Sequence, residues 1–138
     1  MSKDNDPEVI INTYKQMSNE CQQIAFKINE LGGERDQHRL VIETLSKLGP
    51  ERKAFRLIGS VLVQRTVGEI LPIVQINYDG IKELIVKLES NLSTKDQERN
   101  EYKIKHGIMT QDEREAYIYI FNLFNSITNL KLHMLPSM

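Results

Sequence analysis

Apolar side chains recur through the first third of the chain at spacings that alternate between four and three residues. The series runs from Ile10 to Leu45 without a slip, and its two strongly polar members are Arg35 and His38. A mean spacing of about 3.5 residues keeps one stripe of a helix facing a partner helix, so this series predicts the seam of a coiled coil. Its members are Ile10, Tyr14, Met17, Cys21, Ile24, Ile28, Leu31, Arg35, His38, Ile42 and Leu45.

A second series repeats this spacing in the second half of the chain. Its polar members are Lys95, Arg99 and His106. At a rise of about 1.5 Å per residue, each helix would extend roughly 50 Å, which is longer than a small globule is wide. Two such series favour a pair of long, packed helices over a compact bundle. The second series comprises Leu71, Val74, Tyr78, Ile81, Ile85, Leu88, Leu92, Lys95, Arg99, Tyr102 and His106.

Capping and helix-breaking residues delimit these helices. Asp6 followed by Pro7 is a typical helix start, and Gly49-Pro50 is a typical stop. Thr66 to Glu69 reads as a capping box that opens the second helix. We expect helices over 7–48 and 67–106.

Two features interrupt the helical pattern. Gly32-Gly33 costs the first helix about 2 kcal/mol relative to alanine, which predicts a local bend, with a break into two helices as the alternative. Pro72 lies inside the second helix, so a kink or a loosened first turn is expected there.

The segment 53–66 between the helices has no helical period. β-Branched and other apolar residues flank Gly59-Ser60, and a glycine that leads a two-residue turn is typical of a type II′ β-hairpin. This register pairs Ile58 with Val61 and Leu57 with Leu62. A β-hairpin over 53–66 is therefore predicted.

Both faces of the predicted hairpin are apolar. An isolated two-stranded hairpin is marginal in water, and its edges expose unpaired backbone groups. Strands from other chains would satisfy both requirements, so the hairpin predicts an oligomer. The expected subunit-assembly residues are Phe55, Leu57 and Leu62 on one face and Ile58, Val61 and Val63 on the other.

The predicted fold class is mostly α, an antiparallel two-helix coiled coil with a β-hairpin between the helices. The hairpin returns the chain on itself, so both open helix ends would lie about 50 Å from it, at an arm tip.

Composition narrows the classes of function. The net charge is −1, with acidic and basic residues interspersed, whereas nucleic-acid binding requires a concentrated basic surface. The single Cys21 excludes an intrachain disulfide, and no run of about 18 apolar residues predicts a membrane span. The polar first residues lack a signal-peptide core, so a cytoplasmic location is expected.

Candidate chemistry is sparse. His38, His106 and His133 are far apart and lack the spacing of metal ligands. Cys21 lies on the first seam, where it is expected to act as a small buried hydrophobe. The sequence contains no phosphate-binding loop or nucleophile motif. We expect no catalytic, cofactor-binding or metal site.

Several short segments resemble the beta-type subunits of the prefoldin family. They cover roughly residues 8 to 108, and the block in the hairpin is the most specific. Ala54, Ser60, Gly68 and Gly32-Gly33 depart from the family pattern. The resembling segments are Val41 to Leu45, Pro50 to Lys53, Phe55-Arg56, Ile58-Gly59, Val61 to Val67, Glu69 to Pro72, Asn100 to Tyr102 and Lys105 to Ile108.

The resemblance implies a heterohexamer of two alpha-type and four beta-type subunits whose hairpins join into a platform. It implies that the coiled-coil arms hold unfolded actin, tubulin and other chains without ATP and pass them to the cytosolic chaperonin. Nuclear roles are also known in the family.

Apolar seam positions reach both open ends of the predicted helices. Fraying there would expose methionine and aromatic side chains, which adapt to many client shapes. The expected client-binding residues at the arm tips are Ile10, Tyr14, Met17, Tyr102 and Ile108.

The segment 109–138 departs from the polar tail usual in the family. Thr110 to Glu113 is a capping box that predicts a third helix, followed by an aromatic and aliphatic run from Ala116 to Leu135. Three interpretations remain open: a client-binding or membrane-surface segment, a helix that folds back onto the coiled coil, and a variable tail without a selected role.

A structural coiled-coil adaptor that holds folded partners is the alternative function. It predicts a dimeric coiled coil with a flexible loop at 52–66.

Overall fold

The computed structural model of the chain describes residues 5–134, apart from the side chains of Leu132 and His133. Two long helices, α1 (Pro7–Ser46) and α2 (Val67–Lys105), flank strands β1 (Lys53–Ile58) and β2 (Val61–Thr66). A third helix, α3 (Gln111–His133), follows α2.

The helices α1 and α2 pack against each other as an antiparallel pair. Tyr102 lies against Ile10 at the open end, and Gly68 lies against Pro50 at the hairpin end. Every predicted seam position is buried or half-buried. The most deeply buried are Cys21, Leu31 and Ile85 along the coil and Val67 and Ile70 at its base. The predicted fold class is confirmed.

The ends of α1 follow its capping chemistry. The Glu8 N–H donates to the Asp6 side chain over 3.0 Å, and Pro7 lies in the first turn. The helix ends at Ser46 rather than at the expected residue 48, because the N–H groups of Lys47 and Leu48 turn back to bond carbonyls three residues earlier. Leu48 is still half-buried, which explains why the seam spacing extends past the end of the helix.

The glycine pair does not break α1. Helix α1 continues through Gly32 and Gly33, so the alternative of two separate helices is wrong. Leu31, directly before the pair, is only 5% exposed. Packing along a long seam stabilises a helix more than intrinsic propensity does, and it outweighs the cost of the glycines.

The hairpin has the predicted register. Ile58 pairs with Val61 and Leu57 with Leu62 in an antiparallel two-stranded sheet. Gly59 has a φ of 61°, whereas Ser60 does not have a positive φ, as a type II′ turn requires. The hairpin continues directly into α2, where Thr66 and Glu69 form the predicted capping box.

Backbone hydrogen bonds fix the hairpin to the coiled coil. The Val67 N–H donates to the Arg52 carbonyl, and the Gly68 N–H donates to the Pro50 carbonyl, both over 2.9 Å. A Cβ on Gly68 would lie 3.2 Å from that same Pro50 oxygen, so this close approach suits glycine. Pro72 lies inside α2, where its missing N–H removes the bond that the Gly68 carbonyl would otherwise accept.

A Schellman motif separates α2 from α3. Gly107 has a φ of 61°, and the N–H groups of Gly107 and Ile108 return to the carbonyls of Ile104 and Lys103. Thr110 then caps α3 in the predicted capping box with Glu113.

Helix α3 does not fold back. Among the described residues, α3 packs along none of the other elements, and its large apolar side chains are exposed. The interpretation of a helix packed onto the coiled coil is therefore wrong. Over the described part of the chain, no helix combines the length and apolar character that crossing a membrane requires.

Candidate functional site

The hairpin displays apolar side chains on both of its faces. Leu57 and Leu62 pair directly and are 67% and 63% exposed. Phe55 extends that face, and Ile58 and Val61 form the tip of the opposite face, all of them exposed. Uncovered apolar area of this kind marks an interaction surface.

The base of the second face is partly covered. Ala54, Arg56 and Val63 are half-buried, and the hairpin contacts the start of α2 here. Val63 is therefore less exposed than the other predicted assembly residues. Both strands are edges of a two-stranded sheet, so each has one side on which its backbone groups have no strand partner in the described chain.

A groove of about 520 Å³ opens at the arm tip, between the start of α1 and the junction of α2 with α3. Of the predicted tip residues, it brings together Ile10, Tyr14 and Ile108, which are half-buried. We call this the tip groove. Its lining comprises Pro7, Ile10, Ile11, Tyr14, Lys15, His106, Gly107, Ile108, Met109, Thr110 and Arg114.

The two remaining predicted tip residues lie beside the groove. Tyr102 is half-buried, its hydroxyl reaches the Ile10 carbonyl over 3.5 Å, and its ring centroid lies 4.3 Å from that of His106. Met17 is half-buried further along the α1 seam and does not line the groove.

Heptad spacing missed most of the groove residues, among them Ile11, Met109 and Arg114. Ile11 and Met109 are 49% and 45% exposed and lie off the seams, in α1 and in the loop before α3. Arg114 reaches the groove from α3, so the groove depends on the turn at Gly107. A search for apolar residues next to the seam at an open end would have found Ile11.

Ion pairing fastens α3 to the arm. Lys103 of α2 donates to Glu113 in the first turn of α3. This hydrogen bond, together with the one that Glu113 accepts from the Thr110 N–H, lowers the pKa of Glu113 from its usual 4.5 to about 2. The lowered pKa reflects stabilisation of the ionised carboxylate, which links the start of α3 to the end of α2.

Side chains that could ligate a metal are dispersed over the described residues. No group of three or more His, Cys, Asp or Glu side chains is placed to hold a metal ion in the part of the chain searched. His38 and His106 are half-buried on their seams, and Cys21 is buried as predicted. The side chain of His133 lies outside the described residues.

Comparison with known proteins decides the family. The family described as "Prefoldin subunit" matches residues 8–113, from the first turn of α1 to the first turn of α3. The chain belongs to the prefoldin subunit family. Prefoldin subunits are chaperone subunits, and the hairpin and coiled coil lie within the matched span.

Curated relatives agree with this assignment. "Probable prefoldin subunit 2" from Dictyostelium discoideum is 46% identical over 100 residues, covering 70% of this chain and 86% of the relative. "Prefoldin subunit 2" from Homo sapiens is 39% identical over 111 residues, covering 79% of this chain and 72% of the relative.

A solved structure shares the fold. The crystal structure of the prefoldin beta subunit from Thermococcus strain KS-1 superposes with a TM-score of 0.65 at 10% sequence identity. It covers 73% of this chain and 90% of the Thermococcus chain. Because the prefoldin family match ends at residue 113, nearly all of α3 lies beyond it.

Proposed function

We propose that this chain is a beta-type subunit of a heterohexameric, ATP-independent prefoldin chaperone that captures unfolded proteins such as actin and tubulin. The complex delivers them to the cytosolic chaperonin. Membership of the prefoldin family supports the chaperone role, and the uncovered hairpin carries the assembly part of the proposal.

The hairpin serves assembly. Leu57, Leu62 and Phe55 expose one apolar face, and Ile58 and Val61 expose the other, on a sheet that has free edges. Added strands from neighbouring subunits would bury the apolar side chains and pair the edge backbone at the same time. Other alpha-type and beta-type prefoldin subunits are the partners that this surface fits.

The arm tip serves client holding. The tip groove is mainly apolar, with exposed Ile11 and Met109 at its rim. Apolar segments of an unfolded chain can dock there without a defined sequence, and methionine adapts to their shapes. Several tips that act on one client would hold it by avidity rather than through one tight site.

The observed hairpin disfavours the adaptor alternative. That function predicted a flexible loop at 52–66, whereas β1 and β2 form an ordered ladder there. A cytoplasmic location, with a nuclear role as in other prefoldins, belongs to the same proposal, because actin, tubulin and the chaperonin are met in the cytosol.

Dilution of denatured actin tests client holding. The assembled complex that contains this chain is mixed with unfolded actin without ATP, and light scattering reports aggregation. Ile11→Ser combined with Met109→Ser removes apolar area from the tip groove, so it should weaken suppression of aggregation severalfold while assembly is kept. The control is Val86→Ser, a change at a 63% exposed apolar residue in the middle of α2.

Each outcome decides a separate point. If the groove variant loses suppression of aggregation and the control keeps it, the result supports client holding at the tip. If all three complexes suppress aggregation equally, clients are held at a site other than the tip groove. If the unchanged complex does not suppress aggregation, the chaperone function itself is contradicted.

A further inference from the structure

Helix α3 carries a third heptad series. Apolar residues recur along it at alternating spacings of four and three residues, the same spacing that forms the seam between α1 and α2. The series is Ala116, Ile120, Leu123, Ile127, Leu130 and Met134. Unlike the first two series, it is unpaired within the described chain, where Ile120 is 64% and Leu130 59% exposed.

The residue types along this series indicate how many helices it would bring together. In heptad notation, Ile120 and Ile127 take the a positions, while Leu123 and Leu130 take the d positions. Among parallel coiled coils, β-branched residues at a combined with leucine at d favour two strands over three or four. We propose that α3 pairs in parallel with the α3 of a second copy of this chain.

The residues that flank the seam fit a parallel, in-register pair. In such a pair each g position meets the following e position of the partner helix. Tyr119 would lie beside a second copy of Phe124, and Ser126 beside a second copy of Lys131. Neither contact brings like charges together, and the aromatic pair adds apolar area at the edge of the seam.

The opposite side of α3 is partly polar. Asn122, Asn125 and Asn129 lie away from the seam and are exposed. Ile118 and Phe121 also lie off the seam and would remain exposed in the pair. The seam covers four of the nine large exposed apolar residues of α3, and the flanking Tyr119 and Phe124 are two more.

A membrane surface fits α3 less well than a second copy does. Helices that lie in a membrane interface carry lysine and arginine along their polar face. Here the polar face is largely asparagine, and the basic side chains described in α3 are Arg114 near its start and Lys131 near its end. A strict heptad with isoleucine at a and leucine at d is a feature of helix pairing instead.

The pairing is expected to be weak enough to depend on concentration. At about 1.5 Å per residue, α3 is only about 35 Å long and offers about three heptads. Its attachment to the arm tip would link two arms, and hence two assembled complexes, at their tips. This activity is independent of client capture and goes beyond the proposed chaperone function.

Sedimentation velocity of the assembled complex over a range of concentrations tests the pairing. Ile127→Asp places a carboxylate at an a position, while the matched control Asn125→Asp adds the same charge on the solvent side. The parent and the control should form a species of twice the mass as concentration rises, and Ile127→Asp should weaken this association at least about tenfold. A parent that never doubles in mass, or equal association of both variants, would overturn the proposal.

Cysteine crosslinking tests the parallel register without disturbing the helix. In a Cys21→Ser background, Leu123→Cys should form an oxidised dimer of chains, because d positions of parallel helices face each other. Ile118→Cys, on the outer side, should not. Crosslinking that is absent at Leu123→Cys, or equal at both positions, would contradict a parallel pair. If the parent complex instead binds neutral lipid vesicles and never doubles in mass, the partner of α3 is a membrane surface and not a second copy.

Discussion

Lys95 of α2 donates a hydrogen bond to Glu20 of α1, with 3.0 Å between Nζ and Oε2. Lys95 is one of three polar members of the second seam, and its partner lies on the opposite helix. The hydrogen bond raises the pKa of Lys95 and lowers the pKa of Glu20. Both side chains remain partly exposed, so the pair is a marker of helix register more than a source of stability.

Reversing one charge of this pair should weaken the arm. Lys95→Glu places two carboxylates opposite each other, whereas Lys95→Met only removes a screened attraction. We expect thermal unfolding, followed by circular dichroism, to shift down for Lys95→Glu and to change little for Lys95→Met. The double variant Lys95→Glu with Glu20→Lys should recover most of the lost thermal stability. If neither the double variant nor added salt recovers it, the pair does not set the helix register.

Leu62→Ser should prevent incorporation of the chain into its complex and leave the helices intact. Leu62 is 63% exposed, so its replacement removes little internal packing beyond its contact with Leu57. The measurement is co-purification with partner subunits, with circular dichroism as the check on folding. Gln64→Ser, on the same face, is the control. If both variants fail to enter the complex, the apolar character of this face does not drive assembly.

Gly107→Ala should loosen the arm tip. The residue has a φ of 61°, a conformation that costs an L side chain about 1 kcal/mol, although a Cβ there would meet no other atom. Exchange of the amide hydrogens of His106 and Ile108 should become about fivefold faster.

Gly33→Ala is the control for Gly107→Ala, and its expected effect on stability has the opposite sign. It lies inside α1 with nothing within 4 Å of a new Cβ, so alanine should stabilise the helix by up to about 1 kcal/mol. Slower amide hydrogen exchange in Gly107→Ala would contradict the claim that the Schellman motif at Gly107 orders the arm tip.

The capping of α3 should depend on pH through Glu113. Its pKa in the folded chain is about 2, against a usual 4.5, so the stabilisation is complete above about 4.5 and is lost as pH falls toward 2. Carboxyl ¹³C chemical shifts give the midpoint. Lys103→Met should raise it toward 4.5, whereas Lys105→Met should leave it in place. An unchanged midpoint in Lys103→Met would exclude the ion pair as its main cause.

Local rules in the sequence are sufficient to predict the two long helices and the hairpin. The seam from Ile10 to Leu45 and the pairing of Leu57 with Leu62 both follow from side-chain period and turn chemistry, and both are observed. Helix α1 ends two residues before the predicted position, because Leu48 continues the seam spacing after the backbone has turned. Spacing alone does not reveal where backbone hydrogen bonds change partner.

The tip was less predictable because it is made by three segments. Ile11 and Met109 lie off the seams, and they share a groove only because the turn at Gly107 brings the start of α3 beside α1. The capping box at Thr110 predicted where α3 starts, but not its direction. Lys103 and Glu113 also meet across this turn, a contact that no local pattern encodes.

The mass and subunit content of the native complex test the central claim most directly. We expect purification of this chain from native extract, followed by native mass spectrometry, to give a six-subunit assembly of small coiled-coil chains. A homodimer, or a complex with large folded partners, would contradict assembly through the hairpin and favour the adaptor instead.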